Sequence, residues 1–453
     1  MIDIKTLREQ SERFIKGAAA KRIAVDIPAL LAMDARLLEA RRELQEVRTV
    51  QNTAGKKIAK LQGSEKDQAI AEMKAAKDRS KELDDLIAEL EPRFNELLLQ
   101  VPQPPDDDVP VGAGEADNIE LRRWSPSWFD TSKSFAANKG FAPKTHIELG
   151  LSLGLMDFER GVKMAGTRSY VLTGYGMQLH QAVLRCALDY MVYEQGFCPV
   201  SVPDLVREEV MIGTGFFPFG KEQAYQVCET QRGGGQDLYL TGTGEAGLMG
   251  LHMGEIFEGA TLPRRYVTLS TCFRREAGAA GKDTAGLYRI HQFDKVEQVV
   301  LCRADEAESR QWHKTMLGFV ESLMQRLELP YRLLQCCTAD LGAKNADMID
   351  IETWMPGRGK VDADGRPAGE YGETHSASRL YDYQCRRLDL RYRDAESKKV
   401  TVCHSLNNTV VASPRILIPI IELYQNADGS ITVPTALRPY MGGVEKITGE
   451  KKI

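Results

Sequence analysis

The sequence predicts an α+β protein in which a long helical hairpin precedes a domain with antiparallel strands. Residues 28–101 repeat apolar side chains at heptad spacing, which is typical of a coiled coil. Residues 273–297 contain two alternating apolar and polar runs around a Gly/Ala-rich loop, which indicates an antiparallel hairpin. A Pro- and Asp-rich linker at 102–108 cannot continue a helix, so we expect one domain at 1–110 and another at 111–453.

The composition indicates a globular protein with no global preference for polyanions. The 453 residues suffice for two or three domains, and the formal net charge is −5. The chain starts with a charged, helical segment, and no apolar run is long enough to cross a bilayer. Nine scattered cysteines without a CxxC pair favour reduced thiols. We therefore expect a cytoplasmic protein with no membrane contact and no zinc.

The coiled-coil arm is predicted as two helices joined by a Gly-containing turn at 62–64. Each helix of about 34 residues would extend roughly 50 Å at 1.5 Å per residue. Between residues 41 and 60 the first helix carries six basic residues: Arg41, Arg42, Arg48, Lys56, Lys57 and Lys60. Basic residues on a rod suit a phosphate backbone, but charge alone favours a solvated coiled-coil face.

The hairpin at 273–297 concentrates charged residues on one predicted face. Because strand side chains alternate between faces, Arg274 and Glu276 should share one face of the first strand. On the second strand the shared face should hold Arg289, His291, Phe293, Lys295 and Glu297. This pattern favours a binding floor for a polyanion and a small polar ligand. The alternative is an exposed amphipathic hairpin with solvated charges.

Two further segments carry polar groups suited to small ligands. The strand 237–241 leads into Gly-Thr-Gly-Glu-Ala-Gly, which matches a dinucleotide fingerprint but lacks its βαβ context. We interpret it as a strand end that offers Thr243 and Glu245 to a cationic, hydroxylated ligand. The segment 371–378 brings a carboxylate and hydroxyls together, as Mg²⁺ prefers, after a loop at 356–370 that we interpret as an exposed insertion.

A phosphate site is predicted near Arg415. Residues 400–408 read as a strand, and Ser413 and Pro414 resemble the N-cap and first residue of a helix at 416–425. Arg415 would then lie in the first helical turn, where the helix N-terminus favours anions. Pro419 falls inside this predicted helix and has no explanation from the sequence.

These segments together resemble a known family. The hairpin CFRREAGAAGKDTAGLYRIHQFDKVE resembles motif 2 of class II aminoacyl-tRNA synthetases in its serine-specific form. FCPVSVP is similar to motif 1 and LNNTVVASPRILIPIIELYQ to motif 3. With the coiled-coil arm and the closing LRPYMGG, nearly the whole chain resembles bacterial-type seryl-tRNA synthetases.

The resemblance implies a class II antiparallel sheet flanked by helices, in a homodimer formed through the motif 1 region. It implies a serine–tRNA ligase that activates L-serine with ATP and transfers it to the 3′ end of tRNA(Ser), with tRNA(Sec) as a further candidate. The arm would bind the long variable arm of the tRNA. Two alternatives are a non-catalytic tRNA-binding paralogue, which would lose site residues, and an amino acid:carrier-protein ligase, which would lack the arm.

The resemblance also assigns roles to individual residues. Arg274 should contact the α-phosphate and Arg415 the γ-phosphate of ATP, both as catalytic residues. The rest of the ATP site would comprise Arg275, Glu276, Ile290, Glu373, Thr374, His375 and Ser376. Glu373 and Ser376 would also bind Mg²⁺. The L-serine pocket would comprise Thr243, Gly244, Glu245, Glu297 and Thr409. Many relatives have Ala at the position of Gly244 and Ile-Ser at 374–375, but these departures remove no required charge.

Overall fold

The computed structural model describes residues 2–58, 61–278, 281, 283–361 and 367–449. It divides the chain into two compact units, Met1–Pro104 and Pro105–Ile453. The sequence places the boundary near residue 110, slightly further along the chain. Lys60 of the predicted basic stretch lies outside the described residues.

The first unit consists of helices and short connections in its described part. Two long helices pack along each other, and Gly63, with φ +62°, lies in the turn that precedes the second. Leu30, Leu37, Leu83 and Leu90 are buried, as the heptad spacing predicts. The helices are α1 Ile4–Glu9, α2 Ser11–Ala20, α3 Ile27–Ile58 and α4 Ser64–Gln100.

The second unit is built on a large sheet. Its described strands are β1 Ile119–Trp124, β2 Met156–Asp157, β3 Val171–Leu172, β4 Cys198–Pro199, β5 Leu205–Arg207, β6 Tyr225–Val227, β7 Leu238–Leu240, β8 Ile256–Glu258, β9 Arg264–Phe273, β10 Gln292–Cys302, β11 Tyr331–Gln335, β12 Asp347–Met355, β13 Glu370–Tyr381, β14 Arg391–Arg393, β15 Val400–Val402, β16 His404–Ser413, β17 Ile431–Thr432 and β18 Lys446–Ile447. Eight of these described strands form the sheet, in the order β1-β11-β12-β13-β16-β10-β9-β4. All pairs are antiparallel except β4 with β9.

Helices pack on both faces of this sheet. The described helices are α5 Phe135–Lys139, α6 His146–Ser152, α7 Phe158–Ala165, α8 Gly174–Asp189, α9 Glu208–Gly213, α10 Gly244–Gly250, α11 Glu306–Arg326, α12 Tyr383–Arg387 and α13 Leu417–Leu423. Helices α8 and α11 pack on one face and α10 on the other. Val183 of α8 and Val320 of α11 join Val296 and Val300 of β10 in one buried cluster. Because strand side chains alternate, Phe293, Lys295 and Glu297 must face the other way. None of the helices in the described ranges is long and apolar enough to cross a membrane.

The strands of the 273–297 hairpin are shorter than the sequence predicts. β9 ends at Phe273 and β10 begins at Gln292. Arg274 and Glu276 therefore follow the first strand, and Glu276 adopts φ +52°. The prediction that these residues share a strand face is wrong, because the chain leaves the sheet before reaching them.

The predicted helix at 416–425 is also shorter, and its start is different. β16 continues through Ser413, residues 414–416 form a turn, and α13 begins at Leu417 without a side-chain N-cap. Arg415 thus precedes the helix instead of lying in its first turn. Pro419 is the third residue of α13, where a backbone N–H has no partner within the helix, so proline is tolerated there.

Candidate active site

A cleft lies on the face of the sheet away from α8 and α11. It encloses about 1020 Å³ of empty space, including space open to solvent. Side chains from β10, β13, β16, the start of α10 and the loops between them form its walls. Twelve of the fourteen residues predicted for ATP or serine line it, namely Thr243, Glu245, Arg274, Glu276, Ile290, Glu297, Glu373, Thr374, His375, Ser376, Thr409 and Arg415.

The inner wall of the cleft holds a buried ion pair. Lys295 and Glu297, two residues apart on β10, are 6% and 1% exposed and contact each other. Lys295 also donates to Thr243 Oγ1 at 2.8 Å. Thr409 Oγ1 lies 3.5 Å from Glu297 Oε2, on the neighbouring strand. An ammonium, a carboxylate and two hydroxyls therefore converge on one small volume.

A second carboxylate adjoins this wall. Thr243 caps α10 by accepting the Glu245 N–H at 3.2 Å, which fixes Glu245 in the first turn. Lys344 Nζ lies 2.6 and 2.7 Å from the two Glu245 oxygens, and Gln384 donates to Oε1 at 2.7 Å. Lys344 also lies 4.1 Å from the ring centroid of Phe216.

Gly244 does not line the cleft but packs beneath it. A Cβ at this position would lie 2.5 Å from Thr268 Cγ2 and 2.8 Å from Ser270 Oγ, both on β9. The close approach of α10 to β9 therefore explains why this chain has glycine here.

The chain after β9 brings one arginine to the cleft and turns another away. Arg274 donates through Nε to the Gly242 carbonyl at 3.3 Å, and its guanidinium lies 5.2 Å from the Phe293 ring centroid. Arg275 does not line the cleft, because its guanidinium donates to the Glu222 carbonyl at 3.2 Å. Glu276 accepts from Arg289 Nη1 at 2.5 Å.

Arg415 is held by carbonyls and an aromatic ring. Its Nε donates to the Tyr288 carbonyl at 3.0 Å and its Nη1 to the Glu373 carbonyl at 3.1 Å. Its guanidinium carbon lies 4.4 Å from the Tyr288 ring centroid. These contacts replace the predicted helix N-terminus as the explanation for its position.

A β-bulge brings Glu373 and Ser376 to the same side of the sheet. Residues three apart on a regular strand face opposite ways. In the pairing of β13 with β12, however, His375 pairs with Ile351 and Glu373 with Glu352, so Thr374 is an extra residue. The bulge shifts the alternation, so that Glu373 and Ser376 both line the cleft.

Burial changes the protonation of two cleft residues. It lowers the pKa of His375 to about 3, so the imidazole is neutral, and Nδ1 lies 2.8 Å from Thr374 Oγ1. Burial raises the pKa of Glu297, and the ammonium of Lys295 opposes this effect. Glu297 therefore takes up a proton at a higher pH than an exposed glutamate does.

The described residues contain one cluster of three potential metal ligands outside the inner wall, Cys336, Asp340 and Asp350. Burial raises the pKa of the Cys336 thiol, and the carboxylate of Asp350 raises it further. A protonated thiol is a poor ligand for zinc, which binds the thiolate.

Three of the six basic residues singled out on the arm, Arg41, Arg42 and Arg48, contact acidic partners. Arg41 contacts Glu91 at 2.6 Å and Arg48 contacts Asp84 at 2.9 Å, both across the helical hairpin. Arg42 lies 3.9 Å from Glu46 on its own helix. The side chains of Lys56 and Lys57, like the whole of Lys60, lie outside the described residues.

Four residues that line the cleft were given no role from the sequence: Tyr288, Arg289, Lys295 and Lys344. Gln384, which donates to Glu245 from outside the cleft lining, was also missed. Lys295 was placed on the correct face but given no role, although its alternation with Glu297 was a usable signal. Lys344 and Gln384 are about 100 and 140 residues from Glu245 in sequence, and nothing local connects them to it.

Comparisons with known proteins agree with this architecture. Residues 1–105 match the family model described as the seryl-tRNA synthetase N-terminal domain. Residues 225–424 match the class II tRNA synthetase core domain (G, H, P, S and T). A serine–tRNA ligase of Deinococcus radiodurans is 41% identical over 446 residues, covering 98% of both chains. One from Dictyoglomus turgidum is 39% identical, also with 98% of both chains covered.

Solved structures give the same result. The seryl-tRNA synthetase of Pyrococcus horikoshii, complexed with ATP, matches with a TM-score of 0.86 and 35% identity over the full length of both chains. The cytoplasmic serine–tRNA ligase of Naegleria fowleri, in complex with AMP, matches with a TM-score of 0.83 and 28% identity, covering 100% of this chain and 99% of that one.

The sheet, the cleft and the matched core domain define a class II aminoacyl-tRNA synthetase, which confirms the predicted fold class. Within that class, the full-length relatives and the N-terminal model are specific to serine. The chain belongs to the seryl-tRNA synthetase family, and its activity is the ligation of serine to tRNA.

Proposed function

We propose that the reaction proceeds in two steps within the cleft. The carboxylate of L-serine attacks the α-phosphate of ATP, which forms seryl-adenylate and releases pyrophosphate. The 3′-hydroxyl of the terminal tRNA adenosine then attacks the seryl carbonyl carbon, and AMP leaves. The observation that carries this proposal is the convergence of buried carboxylates and hydroxyls with the guanidiniums of Arg274 and Arg415. Both steps depend on positioning and charge neutralisation rather than on a side-chain nucleophile.

The serine pocket in this proposal is the inner wall of the cleft. Within the described residues, Lys295 and Thr409 both contact Oε2 of Glu297, which leaves Oε1 for the ammonium or hydroxyl of serine. Thr243 and Glu245 complete the pocket from the start of α10. Gly244 between them has no side chain, which lets α10 approach β9. A buried acceptor for the hydroxyl would reject alanine, because that acceptor would be left unpaired.

The ATP site occupies the outer part of the cleft. Arg274 neutralises the α-phosphate, and Arg415 binds the γ-phosphate. Support comes from their positions, since both guanidiniums line the cleft beside aromatic rings. The remaining contacts come from Glu276, Ile290, Thr374, His375 and Ser376. The backbone of Arg275 supports the segment that follows β9.

Mg²⁺ fits the donors that the bulge of β13 presents. Glu373 and Ser376 would hold it, because a carboxylate and a hydroxyl oxygen on one face suit a hard cation. The ion would neutralise part of the triphosphate charge. Glu373→Gln should weaken the binding of Mn²⁺, a spectroscopic substitute, in the presence of ATP, measured by electron paramagnetic resonance. Glu396→Gln, in an exposed loop, is the control, and equal binding by both variants would refute this site.

Serine specificity can be tested by ATP–pyrophosphate exchange with individual amino acids. We expect exchange with serine well above that with alanine, threonine or glycine. Glu297→Gln should raise the KM for serine more than the KM for ATP. Equal exchange with alanine would overturn the proposed pocket, and exchange with no amino acid would be the result expected of a non-catalytic tRNA-binding paralogue.

We further propose that a cytoplasmic homodimer of this chain charges tRNA(Ser), with tRNA(Sec) as a second substrate, and that the helical arm grips the tRNA. Support for the arm comes from its length and from the matched N-terminal domain. Deletion of residues 36–92 should spare serine-dependent exchange and abolish tRNA charging. Charging that remains at the wild-type rate would refute the role of the arm.

A further inference from the structure

Two arginines lie against one tyrosine at the edge of the cleft. The guanidinium carbons of Arg415 and Arg358 lie 4.4 and 3.9 Å from the ring centroid of Tyr288. Arg415 lines the cleft, whereas Arg358 does not. Arg358 comes from the segment that follows β12, which the sequence predicts only as an exposed insertion. A guanidinium close to an aromatic ring is attracted by the ring quadrupole, so the ring holds both side chains in place.

Arg358 is itself anchored on two sides. Its Nη1 donates to Asp283 Oδ1 at 3.2 Å, in the loop that leads to Tyr288. Its backbone N–H donates to the Met355 carbonyl at 3.1 Å, and its carbonyl accepts from Gly369 at 3.0 Å. The residue therefore lies at the paired base of the 356–370 segment, where backbone hydrogen bonds connect it to the end of β12 and to the residue before β13.

A second set of hydrogen bonds links the same two segments. The Leu287 N–H donates to His146 Nε2 at 3.3 Å, so the imidazole proton resides on Nδ1. Nδ1 donates to Glu422 Oε1 at 2.7 Å, and Glu422 Oε2 accepts the Gly357 N–H at 2.7 Å. Glu422 is 1% exposed, so these bonds form in a desolvated environment. The 287–288 segment is thus tied at two points to residues 357–358.

We propose that Arg358 is a positioning residue for ATP: it holds Tyr288, and Tyr288 holds Arg415 in the orientation that binds the terminal phosphate. This inference rests on the proposed role of Arg415. Tyr288 contributes both its carbonyl and its ring to Arg415, so a shift of this residue moves the guanidinium directly. Arg358 contacts no substrate in this scheme and acts through the tyrosine, which gives the 356–370 segment a function in nucleotide binding.

The test compares Arg358→Ala with Lys360→Ala, which removes an exposed cation from the same segment. We expect Arg358→Ala to weaken the binding of a non-hydrolysable ATP analogue roughly tenfold, as loss of one partly desolvated cation–π contact allows. The KM for ATP in pyrophosphate exchange should rise in parallel, while the KM for serine and the kcat stay near wild type. Arg358→Lys should restore part of the affinity, and Lys360→Ala should behave as wild type.

A merely structural role would produce a different pattern. Arg358→Ala would then raise both KM values, or lower the melting temperature without selective loss of nucleotide affinity, and either result would overturn the inference. Tyr288→Leu provides a second variant, and its effect should not add to that of Arg358→Ala if the two act in series. Direct binding of the ATP analogue separates this inference from the serine assignment. If the wild-type protein gave no exchange with serine while Arg358→Ala still weakened nucleotide binding selectively, only the serine assignment would be refuted.

Discussion

The buried pair Lys295–Glu297 offers a sharp test of how the inner wall is stabilised. Substitution of Lys295 by Met keeps much of the side-chain volume and removes the charge. Glu297 is 1% exposed, and within the described residues its remaining contact is Thr409 at 3.5 Å. The variant therefore leaves a buried carboxylate without a cation in direct contact, while Lys344 acts on it from further away.

The expected loss of stability is large for a single substitution. Removal of one partner from a buried ion pair costs about 3–5 kcal/mol. The loss should shrink as the pH falls, because the folded variant takes up a proton on Glu297 that the unfolded chain does not hold at the same pH. The double variant Lys295→Met/Glu297→Met should recover most of the loss, since apolar replacement of a whole buried pair is often neutral. Thr243 stays satisfied, because it still accepts the Glu245 N–H.

The assay is denaturant unfolding of the wild type, Lys295→Met, Glu297→Met and the double variant. Serine-dependent exchange is measured on the same four proteins. Lys221→Met is the matched control, because Lys221 contacts Glu208 at 2.6 Å with side chains 53% and 43% exposed. An exposed pair of this kind contributes at most about 1 kcal/mol. The double variant should regain stability but not serine activation, because it lacks the Glu297 carboxylate that is proposed to bind serine.

Two results would refute this reasoning. If Lys295→Met were as stable as Lys221→Met, the carboxylate of Glu297 would not be desolvated as the structure shows. If the double variant recovered serine activation together with stability, Glu297 would have no role in binding the substrate.

Three other variants and conditions test neighbouring features. Arg274→Ala should lower exchange by about 10²–10³-fold, as loss of a charge-stabilising donor does, with unfolding unchanged because the side chain is exposed. Gly244→Ala should cost about 1–3 kcal/mol by overpacking, and Thr268→Ser should compensate by removing the methyl group that meets the new Cβ. The KM for serine should rise as the pH falls from neutral. The rise should begin at a higher pH than the one at which an exposed glutamate takes up a proton, because burial raises the pKa of Glu297. A KM that does not change with pH would contradict this.

The elements with a strong period were predictable from the sequence. Heptad spacing placed Leu30, Leu37 and Leu90 in the seam of the arm, where they are buried. Alternation placed Phe293, Lys295 and Glu297 on one face of β10, and all three line the cleft. Such periods report which face of an element is buried, and a single sequence contains that information.

Other features depend on tertiary pairing, which the local sequence does not contain. A bulge at Thr374 puts Glu373 and Ser376 on one face, and no local signal in the segment announces it. Ser413 and Pro414 look like a helix start, yet pairing with β10 keeps Ser413 in β16. Local capping preferences are worth about 1 kcal/mol, so the hydrogen bonds of a continuing strand override them.

The charges of the inner wall indicate how the proposed pocket selects its substrate. Glu245 is paired with Lys344, and Glu297 with Lys295, so each carboxylate already has its own counter-charge. A zwitterionic amino acid with a neutral side chain adds no net charge to this wall. An amino acid with a charged side chain would bury a charge without a partner, which is strongly unfavourable in a desolvated site. We therefore expect the proposed pocket to reject acidic and basic amino acids through charge balance, and to reject alanine through the hydrogen-bonding partner of the serine hydroxyl.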